Sequence, residues 1–130
     1  MSRLEEIEEL ARMAVDCGFQ LHRDVGPGLL ESVYQALMFA SLRERGLAVA
    51  SQVEVPIRFK GVVVDNAFRA DLIIEGALLI ELKSTEKVSL VHTKQVLTYL
   101  RLLEMPLGLL MNFGQATFKD GIQRVVNNHR

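Results

Sequence analysis

The chain has 130 residues, 49% hydrophobic and 24% charged, which suits one packed domain over residues 1–130 and argues against a disordered chain. Its formal net charge of −1 counts against a protein that relies on non-specific phosphate contacts, while leaving room for an enzyme that neutralises phosphate with a metal. The lone Cys17 excludes an internal disulfide and a cysteine-based zinc cluster, and it favours a reducing, cytoplasmic setting. The charged start of the chain carries no signal-peptide pattern. No apolar run approaches the ~20 residues of a membrane span, so no membrane partner is expected.

In chain order, Leu4, Ile7, Leu10, Ala14, Cys17 and Leu21 recur every three or four residues and predict an amphipathic helix over residues 1–24. Glu5, Glu6, Glu8 and Glu9 load its first turns in the sense the helix dipole favours. Gly26-Pro27-Gly28 breaks the chain, and a second helix is expected from about Leu29 to Arg45, with Leu30, Val33, Leu37 and Ala40 as its inner stripe and Gly46 as its stop. The period then changes to two. Val53, Val55, Ile57 and Phe59 read as a half-buried strand that Pro56 assigns to an edge or a bulge. Val62–Val64, Phe68–Ile74 and Leu78–Lys83 read as further strands. Ser89 is placed to cap a third helix from Leu90 to Glu104, Pro106 ends it, and strands are expected at Leu107–Asn112 and within Thr117–Val126. This order describes an α/β layer structure.

The run Leu78-Leu79-Ile80-Glu81-Leu82-Lys83 interrupts a stretch written for burial with a carboxylate and an amine. Residues two apart share a strand face, so Glu81 and Lys83 are neighbours, while Leu78, Ile80 and Leu82 face the core. If Glu75-Gly76-Ala77 forms a three-residue loop, Ile74 meets Leu78 and Asp71 falls opposite Glu81. A two-residue loop would scatter charged and apolar side chains over both faces. The consistent register therefore clusters Asp71, Glu81 and Lys83. Two adjacent carboxylates repel unless a cation lies between them, and oxygen-only ligands point to a hard ion, Mg²⁺ or Mn²⁺. The plain alternative is a surface Glu–Lys pair with Asp71 as bystander.

Asp71 followed after nine intervening residues by Glu81-Leu82-Lys83 resembles the D…ExK core of the PD-(D/E)XK nuclease superfamily. Gly28-Leu-Leu-Glu31-Ser-Val-Tyr34 resembles the motif that names the GxxExxY proteins within it. Gln95-Val-Leu-Thr-Tyr99 is similar to the QxxxY helix motif of the RecB-like branch, and Leu107–Gly114 is similar to the "GLLINFG" segment of the GxxExxY proteins. The motifs occur in the expected order over residues 26–114. One departure is that Ala70, not proline, precedes Asp71.

The resemblance implies a restriction-endonuclease-like core, a mixed central sheet flanked by helices, and roles at the matching positions. Asp71 and Glu81 would bind Mg²⁺ or Mn²⁺ together with the backbone carbonyl of Leu82, and Glu31 would add a carboxylate. Lys83 would be the catalytic lysine, Gln95 would orient it or a substrate phosphate, and Tyr99 would share that helix face. The implied activity is phosphodiester hydrolysis in nucleic acid, DNA favoured over RNA. A second reading is a nuclease-fold binding or assembly module that acts as a homodimer or with a protein partner. Several of these residues also have simpler readings: Glu31 as an acid at a helix start, Tyr34 as a core aromatic, Gln95 and Tyr99 as a helix-surface pair, His92 as a bystander, and Cys17 as a small core residue. His22 and His129 carry no readable signal.

Overall fold

The computed structural model describes residues 1–128. Its elements are helix α1 (Arg3–Val25), helix α2 (Glu31–Glu44), strands β1 (Val49–Phe59), β2 (Val62–Ile74) and β3 (Leu78–Lys83), helix α3 (Leu90–Leu103), and strands β4 (Leu107–Asn112) and β5 (Ile122–Val126). The five strands form one sheet in sequence order, with β3 and β4 parallel and every other neighbouring pair antiparallel. Helix α3 makes the crossover that a parallel pair requires. The fold is α/β, a mixed sheet with helices on both faces. His129 lies outside the described residues.

Both faces of the sheet carry a core. On one, Ile7, Ala14 and Cys17 of α1 and Tyr34, Met38 and Leu42 of α2 pack on Leu72, Ile74, Leu78, Ile80 and Leu82. On the other, Val96 and Leu100 of α3 pack on Ala70, Ile73, Leu79, Leu110 and Val125. Cys17 is buried, as a small core residue would be. Pro56 sits as expected: β1 is the edge strand, and its pairing with β2 shifts register between Val55 and Ile57.

Three expectations need correction. Helix α2 buries Tyr34, Met38 and Leu42, while Leu30, Val33 and Leu37 are exposed. Both rows have helical spacing and both are apolar. The buried row is the one whose Tyr34 ring stacks on Phe113 with centroids 4.5 Å apart. Val62–Val64 and Phe68–Ile74 form one continuous strand, because a long β1 pairs with both stretches and the residues between them are bridged at the register shift between Val55 and Ile57. Ser89 occupies the N-cap of α3 but makes no side-chain capping bond.

Candidate metal centre

Strands β2 and β3 begin their ladder at the turn with Ile74↔Leu78, Ile73↔Leu79 and Leu72↔Ile80, the register that a three-residue loop requires. There the regular pairing stops. One position further on, side chains replace the backbone: the Asp71 N–H donates to Glu81 Oε2 at 2.7 Å, and the Leu82 N–H donates to Asp71 Oδ2 at 2.8 Å. Beyond this point β3 continues alongside β4, with Glu81↔Leu110, Leu82↔Met111 and Lys83↔Asn112, while β2 continues with β1 alone. The sheet forks, and the two carboxylates sit at the fork. Since the N–H and C=O of one strand residue point to the same side, the Leu82 carbonyl also faces the gap.

Gln52 on β1 completes the fork wall. Its backbone is left-handed at φ 51°, unusual for a residue with a side chain. Its amide donates to Gln35 Oε1 on α2 at 2.8 Å and to Asp71 Oδ1 at 3.4 Å. Sequence reasoning missed both glutamines. In sequence Gln52 directly precedes the alternating run Val53, Val55, Ile57 and Phe59, and nothing local marks its backbone conformation.

Burial sets the electrostatics. Glu81 is only 8% exposed, and desolvation, followed by repulsion from Asp71, pushes its carboxyl up to about 8. Asp71 is raised as well, mainly by burial, against the opposing pull of the Leu82 N–H and the Lys83 charge. Lys83 is half-buried; its charge acts on Glu31, Asp71 and Glu81, and no ion pair to it forms among the described residues.

The remaining expected residues are held less closely. Glu31, the first residue of α2, is raised by desolvation and feels Lys83, Asp71 and His92. It also lines a cleft of about 650 Å³ bounded by Gly28, Ser84, Thr85 and Gly114. Among the described residues, no three carboxylate, histidine or cysteine side chains gather as a metal-holding group, although the Glu31 charge acts on Glu81 and that of Asp71 on Glu31. Gln95 is exposed on α3 and makes no hydrogen bond to Lys83 among the described residues. Tyr99, one turn on, stacks on Phe68 with centroids 3.7 Å apart; burial, then the charges of Glu81 and Asp71, raise its phenol.

The other motif residues support this geometry. The Tyr34 hydroxyl donates to the Gly26 carbonyl at 2.5 Å and accepts from the Leu29 N–H at 3.2 Å, clamping the loop that delivers Glu31. Ser84 Oγ ties the same loop to the end of β3 through the Leu29 carbonyl at 2.6 Å. Asn112, fully buried, accepts from the Thr85 and Gly114 N–H groups at 3.0 Å each and donates to the Thr85 carbonyl at 2.9 Å. A Cβ on Gly114 would run into the Thr85 backbone. His22, silent in the sequence, is buried against Phe113 and Phe118 with Nε2 2.8 Å from the Gln115 carbonyl.

The donor set at the fork fits a hard divalent ion. It offers carboxylate and carbonyl oxygens, and it buries two like charges whose repulsion a cation would relieve.

Comparison with known proteins agrees with this architecture. No curated protein matches the chain significantly. The crystal structure of SSO0001 is similar at a TM-score of 0.57 and 21% identity over 76% of this chain, which speaks to fold alone. This chain spans about half the length of that one, covering 50% of it. No helix among the described residues is long and apolar enough to cross a membrane. Residues 8–125 match the profile of the PD-(D/E)XK nuclease superfamily, nearly the whole span from α1 to β5. The protein belongs to the PD-(D/E)XK nuclease superfamily.

Proposed function

We propose that this protein is a divalent-metal-dependent nuclease that hydrolyses phosphodiester bonds, with DNA as the favoured substrate, and that it is one of the GxxExxY proteins, allied to the RecB-like branch. The observation that carries this reading is the forked sheet, where Asp71 and Glu81 replace backbone pairing between β2 and β3. Asp71, Glu81 and the Leu82 carbonyl would hold Mg²⁺ or Mn²⁺, with Glu31 as an outer carboxylate. Bound there, the ion supplies Lewis-acid activation of water and phosphate.

The chain's own residues do the rest. Lys83, on the strand face of Glu81, positions the attacking water and balances charge that builds on the phosphate. Gln95 orients Lys83 or a phosphate oxygen, and Tyr99 borders the substrate on the same helix face. The Tyr34 clamp and the Asn112 bracket keep Glu31 and the end of β3 in place. We further infer that residues 1–130 act as one domain and that buried Cys17 belongs to a protein of the reducing cytoplasm.

The test is cleavage of plasmid DNA, single-stranded DNA and RNA with Mn²⁺ or Mg²⁺. Cleavage should stop on chelation and in Lys83→Ala, while Lys83→Ala still binds metal. Intact substrates from a wild type that binds no metal would overturn the reading.

A second reading, a nuclease-fold assembly module, is favoured by the exposed stripe Leu30, Val33 and Leu37 on α2 beside the site. Light scattering and co-purification separate a lone enzyme from a subunit. A monomer that cleaves DNA unaided would exclude the module.

A further inference from the structure

Strand β2 runs antiparallel to β3, so its N-terminal half leaves the sheet at the end of β3 that carries Lys83. Only Leu72–Ile74 of β2 pair with β3; from Val62 to Ala70, β2 is paired with β1 alone. The ten residues from Val62 to Asp71 span about 30 Å at the rise of an extended strand. The hairpin is therefore an arm that overhangs the open end of the fork.

The tip of the arm has an unusual surface. Cross-strand partners Phe59↔Val62 and Ile57↔Val64 share one face, and Phe59, Val62 and Val64 are 66%, 61% and 50% exposed. Arg58 and Lys60 flank Phe59, and the Lys60 ammonium lies over the Phe59 ring at 5.3 Å. Of the acids on the arm, Glu54 is engaged by Arg69 at 3.6 Å, and Asp65 lies at the register shift. The chain's densest acids, Glu5, Glu6, Glu8 and Glu9, lie on α1, which covers the opposite face of the sheet from α3. An aromatic ring at the hairpin tip, with the Lys60 ammonium over it and Arg58, the partner of Val63, on the opposite face, suits an unpaired base whose phosphates pass around the tip.

We propose that the tip of the β1–β2 arm is a single-strand nucleic-acid contact, in which an unpaired base stacks on Phe59 and Arg58 and Lys60 take the neighbouring phosphates. The inference rests on the nucleic-acid reading above and specifies where the substrate strand is gripped, away from the metal centre.

The chain contains no tryptophan, so Phe59→Trp places a single tryptophan at the tip, whose emission can be excited selectively above the tyrosine absorption. The probe is a fluorescein-labelled oligothymidine of about 20 nucleotides, titrated at low salt in chelator so that cleavage plays no part. Phe59→Ala should weaken binding about 5- to 100-fold, whereas Phe59→Trp should retain affinity and show quenched emission on binding. Removing Arg58 or Lys60 should flatten the salt dependence of log K by about 0.7 per charge.

Unchanged affinity in Phe59→Ala with no quenching in Phe59→Trp would overturn the arm contact while leaving the nuclease reading intact. An equal loss on a duplex of the same length would overturn the single-strand stacking. A drop in molar mass for Phe59→Ala at unchanged affinity would make the tip an interface between copies, again overturning the proposal. Absence of both binding and metal-dependent cleavage in the wild type would remove the nucleic-acid reading and the arm contact together.

Discussion

Strand β3 serves two faces of the sheet that are built differently. Leu78, Ile80 and Leu82 enter the core under α1 and α2, where the packing is apolar and closed. The alternate positions Leu79, Glu81 and Lys83 face the smaller cluster under α3, which gives way at the fork to charge and open space. A period of two lets one strand contribute stability on one side and chemistry on the other. The two functions should therefore respond to different substitutions.

The largest effect is expected on the closed face. Ile80→Ala removes a fully buried side chain and should cost about 2–5 kcal/mol in urea unfolding, with metal binding by the folded fraction retained. If it abolished metal binding in a well-folded variant, the separation of the faces would be wrong. Next comes the bracket behind the fork. Asn112→Ala strands three backbone groups and should cost about 2–3 kcal/mol in the same measurement.

On the open face the sign reverses. The Glu81 carboxyl is raised from an ordinary 4.5 to about 8, so the folded state without metal holds a proton that the unfolded chain releases. That contribution is complete below about pH 4.5 and is lost as pH rises through about 8. Glu81→Gln should accordingly stabilise the metal-free protein at alkaline pH by on the order of 1–3 kcal/mol and give no such gain in acid. A destabilisation of the metal-free protein at alkaline pH would contradict burial as the cause of the shift. The smallest effect belongs to Tyr34→Phe. It keeps the stack on Phe113 and loses the clamp on Gly26 and Leu29, for about 1 kcal/mol and slower cleavage through a looser Glu31.

Much of this was legible in the sequence because strand alternation is a strong physical constraint. The register that brings Asp71 to Glu81 follows from refusing to expose Leu72, Ile74 and Ile80, and the ladder agrees. Pro56 marked an edge strand because it cannot donate to a ladder. Helix α2 was misread because two of its rows have the same spacing and similar hydropathy, and only the partner across the core, Phe113, decides between them. Gln52, Gln35 and Asn112 were invisible because their roles depend on contacts between distant segments. The sequence marked Glu31 and Gln95 only through resemblance; among the described residues Glu31 forms no three-membered ligand group with Asp71 and Glu81, and Gln95 is exposed on α3.

The most direct test of the central claim is calorimetric titration of Mn²⁺ into the wild type and into an Asp71→Asn, Glu81→Gln double variant, near neutral pH in two buffers of different protonation enthalpy. The wild type should bind with release of about one proton per ion, because Glu81 must ionise, and its affinity should climb as pH approaches about 8. The double variant should fold and bind nothing. Binding that survives in the double variant, or a wild type that takes up no ion at any of these pH values, would contradict a metal centre at the fork.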